Sequence, residues 1–382
     1  MSRTHSPQML LALLLLPHFD LQAYEKDRVV ALADAALHHA PRTITAVVNP
    51  RSPGGPHDFS SEGDYWWPDP KNPNGPYIRR DGMTNPDNFT AHRELLLDFV
   101  RDTDALIAAY RVTRDERYAA AAVKQLDAWF VNPETKMYPN LQYAQAIKGV
   151  CTGRGTGIID TVHLAEVALG VRALRGSKAL TPLEDAAITR WFRSYLLWIR
   201  VHPYGQDESK ADNNHGTCWA LQAACFARLA GDEAVLADCR RRFKEVILKQ
   251  MAPDGSFPRE LGRTKAYGYS IFNLDVMTAL AQVLSTPQEN LLTYQLPDGR
   301  SIVRGIEFLA PYLADKSKWP KPPDVMYWND WPVRQPALIF GALATGNEDW
   351  LKLWERLPAD PTVEEIRRNF PIRQPVLWVD VP

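Results

Sequence analysis

Two polar clusters sit within one stretch, Ala211–Asn273, each at the mouth of a segment that otherwise reads as an apolar helix. The first, Asp212-Asn213-Asn214-His215-Gly216, runs into Thr217-Cys218-Trp219-Ala220-Leu221-Gln222. The second, Arg259-Glu260-Leu261-Gly262-Arg263-Thr264, is followed by Tyr267-Gly268-Tyr269-Ser270 and Phe272-Asn273. They read as two halves of one active site. Neither offers the carboxylate pair of a glycosidase. No Ser-His-Asp or Cys-His arrangement stands out, since Cys218 falls inside the helix that follows His215. His215 has no second histidine at metal-ligand spacing, so a site without metal or cofactor is expected.

What remains is a histidine, an amide, an arginine and a tyrosine. That set suits taking a proton from the carbon next to a carboxylate. In β-elimination on a 1,4-linked uronate, a base removes H5, the carboxylate takes up enolate-like charge, and the O4 leaving group is protonated. The carbon acid is weak, so fixed positive charge and amide donors must stabilise the developing dianion. Arg263 offers a bidentate fork for this, and Asn214 an N–H donor. A tyrosine with a pKa of about 10 becomes a usable base only where a cation favours its phenolate. Tyr269, close after Arg263, is placed to receive that field. His215 opens a helix, whose positive end disfavours the imidazolium, and is expected neutral. Taken singly, these residues read equally as a helix cap, a salt-bridge partner and a packing ring.

The chain that must position them has 382 residues, 45% of them apolar, enough for a substantial core. A formal net charge of −1 gives no basic excess to drive binding to nucleic acid or a membrane surface. The four cysteines, Cys151, Cys218, Cys225 and Cys239, show no paired spacing and read as buried thiols. The run Met9–Leu16 is too short to span a bilayer and has the length of a signal-peptide core, so residues 1–23 read as a signal peptide or apolar arm. A periplasmic or secreted location follows from that reading, with residues 24–382 as a single domain.

Ser52–Phe89 is a long loop by every local sign, yet Tyr65-Trp66-Trp67 and Tyr77-Ile78-Arg79-Arg80 make it too aromatic for a solvated linker. It is expected to be ordered and to line the site. Helical periodicity then runs almost to the end, over Asp27–Ala40, Ala91–Arg111, Asp115–Phe130, Gly157–Leu174, Glu184–Val201, Asn214–Leu229, Glu233–Gln250, Ser270–Leu284, Ile302–Leu313 and Gln335–Thr345. Helices in short-linked pairs with no sequence repeat suggest an all-α ring of hairpins, an α/α toroid. Gly153-Arg154-Gly155-Thr156-Gly157 follows no strand and precedes no Lys-Ser/Thr pair, so it is not a phosphate loop. Arg154 is instead available to face an anionic substrate.

Ser61-Glu62-Gly63-Asp64-Tyr65-Trp66-Trp67-Pro68-Asp69-Pro70, Pro76-Tyr77-Ile78-Arg79-Arg80-Asp81-Gly82, Met137-Tyr138-Pro139-Asn140-Leu141, Asn213-Asn214-His215-Gly216 and Arg263-Thr264 with Tyr269-Ser270 closely resemble the signature of the alginate-lyase-domain family of polysaccharide lyases. The likeness covers roughly Ser52–Trp319 and looks closest to the branch that includes glucuronan lyases. It implies an α/α toroid and metal-free elimination on an anionic polysaccharide. Its catalytic constellation carries over as Asn214, His215, Arg263 and Tyr269. Substrate contacts are expected from Tyr65, Trp66, Trp67, Arg79, Arg80, Gln145, Arg154, Asn213 and Tyr267. Tyr138 departs from the family's usual Asn. From Lys321 onward the likeness weakens, and Trp328, Trp331, Trp350 and Trp354 acquire no role.

Two other classes fit the same features. A toroid hydrolase would use two acids such as Asp64 and Asp81, and a non-catalytic glycan binder would keep the cleft without the chemistry.

Overall fold

Side-chain caps decide where several of the helices start. In the structure, a computed structural model, residues 19–379 are described. The Asp20 carboxylate caps α1 (Leu21–Ala36); α2 (Ala91–Thr113) follows the long loop, and Asp115 caps α3 (Glu116–Phe130). Next come α4 (Leu164–Leu174) and α5 (Pro182–Val201), which starts on a reciprocal capping box of Thr181 and Glu184. A short α6 (Pro203–Ser209) leads to α7 (Asn214–Ala230), capped by Asn213, and α8 (Glu233–Arg242), capped by Asp232. The remaining helices are α9 (Pro258–Leu261), α10 (Ala266–Leu284), α11 (Ile302–Ala314), α12 (Pro336–Thr345), α13 (Glu348–Arg356) and α14 (Glu364–Arg368).

α2, α4, α7, α10 and α12 touch in succession as an inner ring, with α1, α3, α5, α8, α11 and α13 packed around them. Burial follows the layers: 18 of the 19 residues of α10 are buried, against 6 of the 20 in α5. The fold is an α/α toroid. The long loop is ordered by two small pairings. β1 (Ser60–Glu62) runs parallel to Tyr143–Ala146, and β2 (Trp66–Trp67) pairs antiparallel with β3 (Ile78–Arg79).

Several boundaries differ from the sequence expectation. The first helix starts at Leu21 and not Asp27, so Leu21-Gln22-Ala23 forms its first turn, while the apolar run Met9–Leu16 lies outside the described residues. The stretch expected as one helix over Gly157–Leu174 begins as a 3-10 turn (Gly155–Thr161) and becomes α-helical at Leu164. Glu233–Gln250 breaks after Arg242 into a π turn and a 3-10 turn. An apolar stripe does not distinguish these tighter and wider windings from a regular helix.

The C-terminal segment returns across the ring. A 3-10 turn at Pro375–Leu377 packs on α1, α2 and α4, and the buried Glu166 carboxylate accepts hydrogen bonds from the Arg373 and Gln374 backbone N–H groups and from Trp378 Nε1 at 2.6 Å. Asp104 of α2, fully buried beside Glu166, has its carboxyl pushed well above the ordinary 3.8 by burial and by that neighbouring acid. A carboxyl whose pKa rises on folding holds its proton more tightly in the folded state. Stability is therefore lost as pH climbs from the ordinary Asp value toward the raised one. Asp104→Asn, which cannot ionise, is expected to flatten that decline: its Tm should fall less than the parent's between about pH 5 and about pH 8. Parallel Tm–pH curves would show that Asp104 does not carry it.

Candidate active site

Five segments distant in sequence meet at one cavity of about 260 Å³: the long loop, the stretch 145–159, the mouths of α7 and α10, and the C-terminal tail. It is lined by Asp64, Tyr65, Trp66, Arg79, Gln145, Arg154, Asn213, Asn214, His215, Arg263 and Tyr269, with Thr156, Ile159, Phe272, Arg368 and Asn369. A larger hollow of about 940 Å³ between α11 and α13 contains none of these groups.

Each side chain is aimed by a specific neighbour. The Asn213 side chain caps α7 by accepting from the His215 N–H at 3.2 Å, which puts Asn214 and His215 on the first turn. Gly216 has to be glycine, because a Cβ there would lie 2.0 Å from the Ala211 carbonyl oxygen. Glu260, fully buried, accepts from the Asn214 backbone N–H at 2.9 Å and from its amide nitrogen at 2.9 and 3.0 Å, which fixes the amide plane. Glu208 of α6 accepts from His215 Nδ1 at 2.6 Å. A carboxylate there selects the tautomer protonated at Nδ1, so a neutral His215 offers only the Nε2 lone pair, and donates from that atom only as the imidazolium.

The α10 mouth is capped from a distance, since the Asp324 carboxylate accepts from the Tyr267 and Gly268 N–H groups at 2.9 and 2.8 Å. Tyr269 is thereby set facing the loop, where its hydroxyl shares a 2.5 Å hydrogen bond with that of Tyr65. The Arg263 guanidinium lies over the Tyr269 ring at 4.4 Å, with Nη2 donating to the phenol oxygen at 3.4 Å. Lys265 lies 5.4 Å from the same ring and 5.1 Å from that of Tyr65.

Two expectations need correcting here. Arg263 does not present an open fork, because Nε and Nη2 already bind both oxygens of Asp81, at 3.0 and 2.7 Å. Nor do the cations prevail over burial at Tyr269. Desolvation, followed by the neighbouring Tyr65, pushes its phenol well above 10 despite the opposing pull of Lys265 and Arg263. The physical reason is burial, which outweighs both cations; Arg263 is in turn held by Asp81, and Lys265 by Glu365 of α14 in a buried ion pair. Asp81→Asn should leave the Arg263 charge less compensated, favour the Tyr269 phenolate and move the ascending limb of the kcat/KM–pH profile to lower pH. An unmoved or alkaline-shifted limb would disconnect Asp81 from Tyr269.

The loop is anchored by Asp64, buried between Arg93 at 2.9 Å and Arg368 at 2.5 Å, and held ionised by those two arginines against the cost of its burial. Asp81 is likewise kept well below the usual carboxylate range, chiefly by its hydrogen bonds from Arg263. Neither can hold the proton that a hydrolase's general acid needs, so that alternative loses its two acids. On the opposite wall, Gln145 adopts a left-handed backbone, φ 51°, while its side chain donates to Asp160 at 3.0 Å and accepts from Arg154 at 2.9 Å. Arg154 is thus engaged by an amide and not by a carboxylate, and it sits 5.8 Å from the Trp66 ring.

Three expected contacts lie elsewhere. Tyr267 is fully buried, its hydroxyl donating to the Tyr312 carbonyl and its ring packed on Trp319 and Trp328. Trp67 faces away from the cavity, donating to the Met83 carbonyl at 2.8 Å, with Arg80 over its ring. Conversely, Glu208, Glu260, Lys265, Asp160, Arg368 and Asn369 went unforeseen. Glu260 stood inside the second polar cluster and Lys265 directly beyond it, whereas no local pattern marks Arg368. Among the described residues no group of three or more His, Cys, Asp or Glu is arranged to hold a metal, and no helix is long and apolar enough to cross a membrane.

A family profile described as alginate lyase matches residues 43–319. The chain belongs to the alginate lyase family. The lyase is 31% identical to an alginate lyase from Bacteroides ovatus, over 92% of this chain and 97% of that one, with a TM-score of 0.79. It shares the fold, at 16% identity and a TM-score of 0.51, with alginate lyase A1-III from Sphingomonas species A1, over 98% and 95% of the two chains. A histidine-to-alanine variant of A1-III complexed with a tetrasaccharide matches with a TM-score of 0.54 at 16% identity, over 86% and 87%. A search of the curated proteins finds no match. The lyase is thus a polysaccharide lyase, and Arg368 and Asn369 enter its cavity from beyond the stretch that the profile covers.

Proposed function

We propose that the lyase cleaves a 1,4-linked β-uronate polymer, polymannuronate in alginate or glucuronan, by β-elimination. The C5–H bond breaks, its electrons form the C4–C5 double bond, and the C4–O4 bond breaks as O4 receives a proton. Tyr269 is the residue we assign to both proton transfers. Burial favours the neutral phenol in the ligand-free cavity, and its proton passes to solvent before Tyr269 takes H5 and returns that proton to O4. The phenolate, the base, is the form that Arg263 and Lys265 favour. Asn214 and His215 flank the substrate carboxylate, with Arg154 and Arg79 adding positive charge and Trp66 a surface for a sugar ring.

The observation that carries this reading is the Tyr269 hydroxyl held between Tyr65 and Arg263 in the same cavity as Asn214 and His215. The test is a screen of polymannuronate, polyguluronate, glucuronan and glycosaminoglycans, following ultraviolet absorbance of the new conjugated double bond. Chain shortening without absorbance would mean hydrolysis. Binding with neither would mean a glycan-binding protein.

A further inference from the structure

At the far end of α7 from the cavity lies a second hollow, of about 680 Å³, lined by Arg172 and Arg175 from the end of α4, Arg190 and Arg193 from α5, and Arg228 from the last turn of α7. Only two carboxylates, Asp185 and Glu233, share that lining. With Asn214 at one end of α7 and Ala230 at the other, the two sites are roughly 25 Å apart along the helix.

The plain explanation of such arginines is capping of helix C-termini, and it accounts for part of the cluster. Arg175 donates to the Leu229 carbonyl while pairing with Asp185 at 3.0 Å; Arg193 donates to the Ala230 carbonyl, and Arg228 to that of Val283. Capping does not account for Arg190, which is exposed and enters no hydrogen bond or ion pair among the described residues. Nor does it supply carboxylates for Arg193 and Arg228, whose hydrogen bonds go to neutral carbonyls. The guanidiniums also crowd one another, for Arg228 and Arg175 add to burial in destabilising the charge on Arg172. Like charges gathered in a concave surface, with most of their charge uncompensated, form a site for an anion that spans several of them.

We propose that this hollow is a second, non-catalytic binding site for the carboxylates of a polyuronate chain, on the face of the toroid opposite the cavity. The identity of the chain rests on the proposed function. A polymer held there keeps its other segments at high local concentration near the catalytic end, which lowers KM for long chains without any change in chemistry. A tetrasaccharide, able to occupy only one site at a time, gains nothing.

Arg190→Glu combined with Arg193→Glu tests this, since both side chains are exposed. KM for polymer should rise roughly fivefold, with kcat and the tetrasaccharide kcat/KM unchanged, and Arg190→Lys with Arg193→Lys should largely restore it. In a Tyr269→Phe background the glutamate pair should weaken direct polymer binding, a readout that needs no turnover and so survives failure of the functional reading. Unchanged polymer KM and binding would overturn the proposal, as would an equal loss with the tetrasaccharide. Calorimetric binding of inorganic phosphate lost in the glutamate pair, with polymer binding intact, would overturn it in favour of a small-anion site.

Discussion

Replacing Tyr269 by Phe is expected to abolish turnover of polymannuronate or glucuronan while leaving polymer binding nearly intact. Loss of one positioned acid–base group typically costs about 10²- to 10⁴-fold. Here a single oxygen is asked to serve twice. In β-mannuronate and β-glucuronate, which differ only at C2, H5 and O4 leave from the same face, so one residue on that face can take the first proton and deliver the second. The Phe variant removes only the oxygen, and the ring keeps its packing under Arg263. Tyr65, whose hydroxyl lies 2.5 Å away, is a neighbour placed to take over, which makes the double Phe variant the sterner form of the experiment. Tyr267→Phe is the control. That hydroxyl only donates to the Tyr312 carbonyl at 3.0 Å, away from the cavity, and most activity should remain. A Tyr269→Phe enzyme with near-parent kcat would remove the tyrosine from the mechanism. A dead Tyr267→Phe enzyme would show that the α10 mouth is read in the wrong register.

The difference between those two tyrosines also shows what the sequence could and could not reveal. Both stand in Tyr267-Gly268-Tyr269, both are aromatic, and both follow the same polar cluster. Which one faces the cavity depends on the helical phase of α10. That phase is set by Asp324, a carboxylate more than fifty residues away that accepts from the first N–H groups of the helix. Helix existence was legible because apolar periodicity is local, as in α2, α5, α7 and α11. The α7 half of the cavity was legible for the same reason, because Asn213 caps the helix that carries Asn214 and His215. Compensating charge was not. Asp81 reaches Arg263 across the chain, Glu365 reaches Lys265, and Arg368 reaches Asp64, and no spacing rule links such partners. The pKa of Tyr269 was misjudged from one cation because the burial that outweighs it is set by the folded chain and by no local spacing.

That compensation makes Arg263→Lys the second large effect to expect. Arg263 does two things with one planar group: Nε and Nη2 grip Asp81, and Nη2 also reaches the Tyr269 oxygen at 3.4 Å. A lysine keeps the charge but is a point donor on a flexible stem, so it can satisfy Asp81 or approach the phenol, not both in fixed geometry. Asp81 keeps its bonds from Thr264 and Arg79, so the loop should stay seated and KM should change little. Stabilisation of the phenolate, needed only as H5 is being removed, should be lost. kcat/KM is therefore expected to fall well over tenfold, carried by kcat, which corresponds to more than about 1.4 kcal/mol of transition-state stabilisation. The pH profile gives the sign: weaker support for the phenolate moves the ascending limb to higher pH, opposite to the shift expected for Asp81→Asn. A Lys variant with near-parent kcat, or a limb displaced in the same direction as the Asn variant's, would mean that Arg263 holds the loop and takes no part in tuning Tyr269.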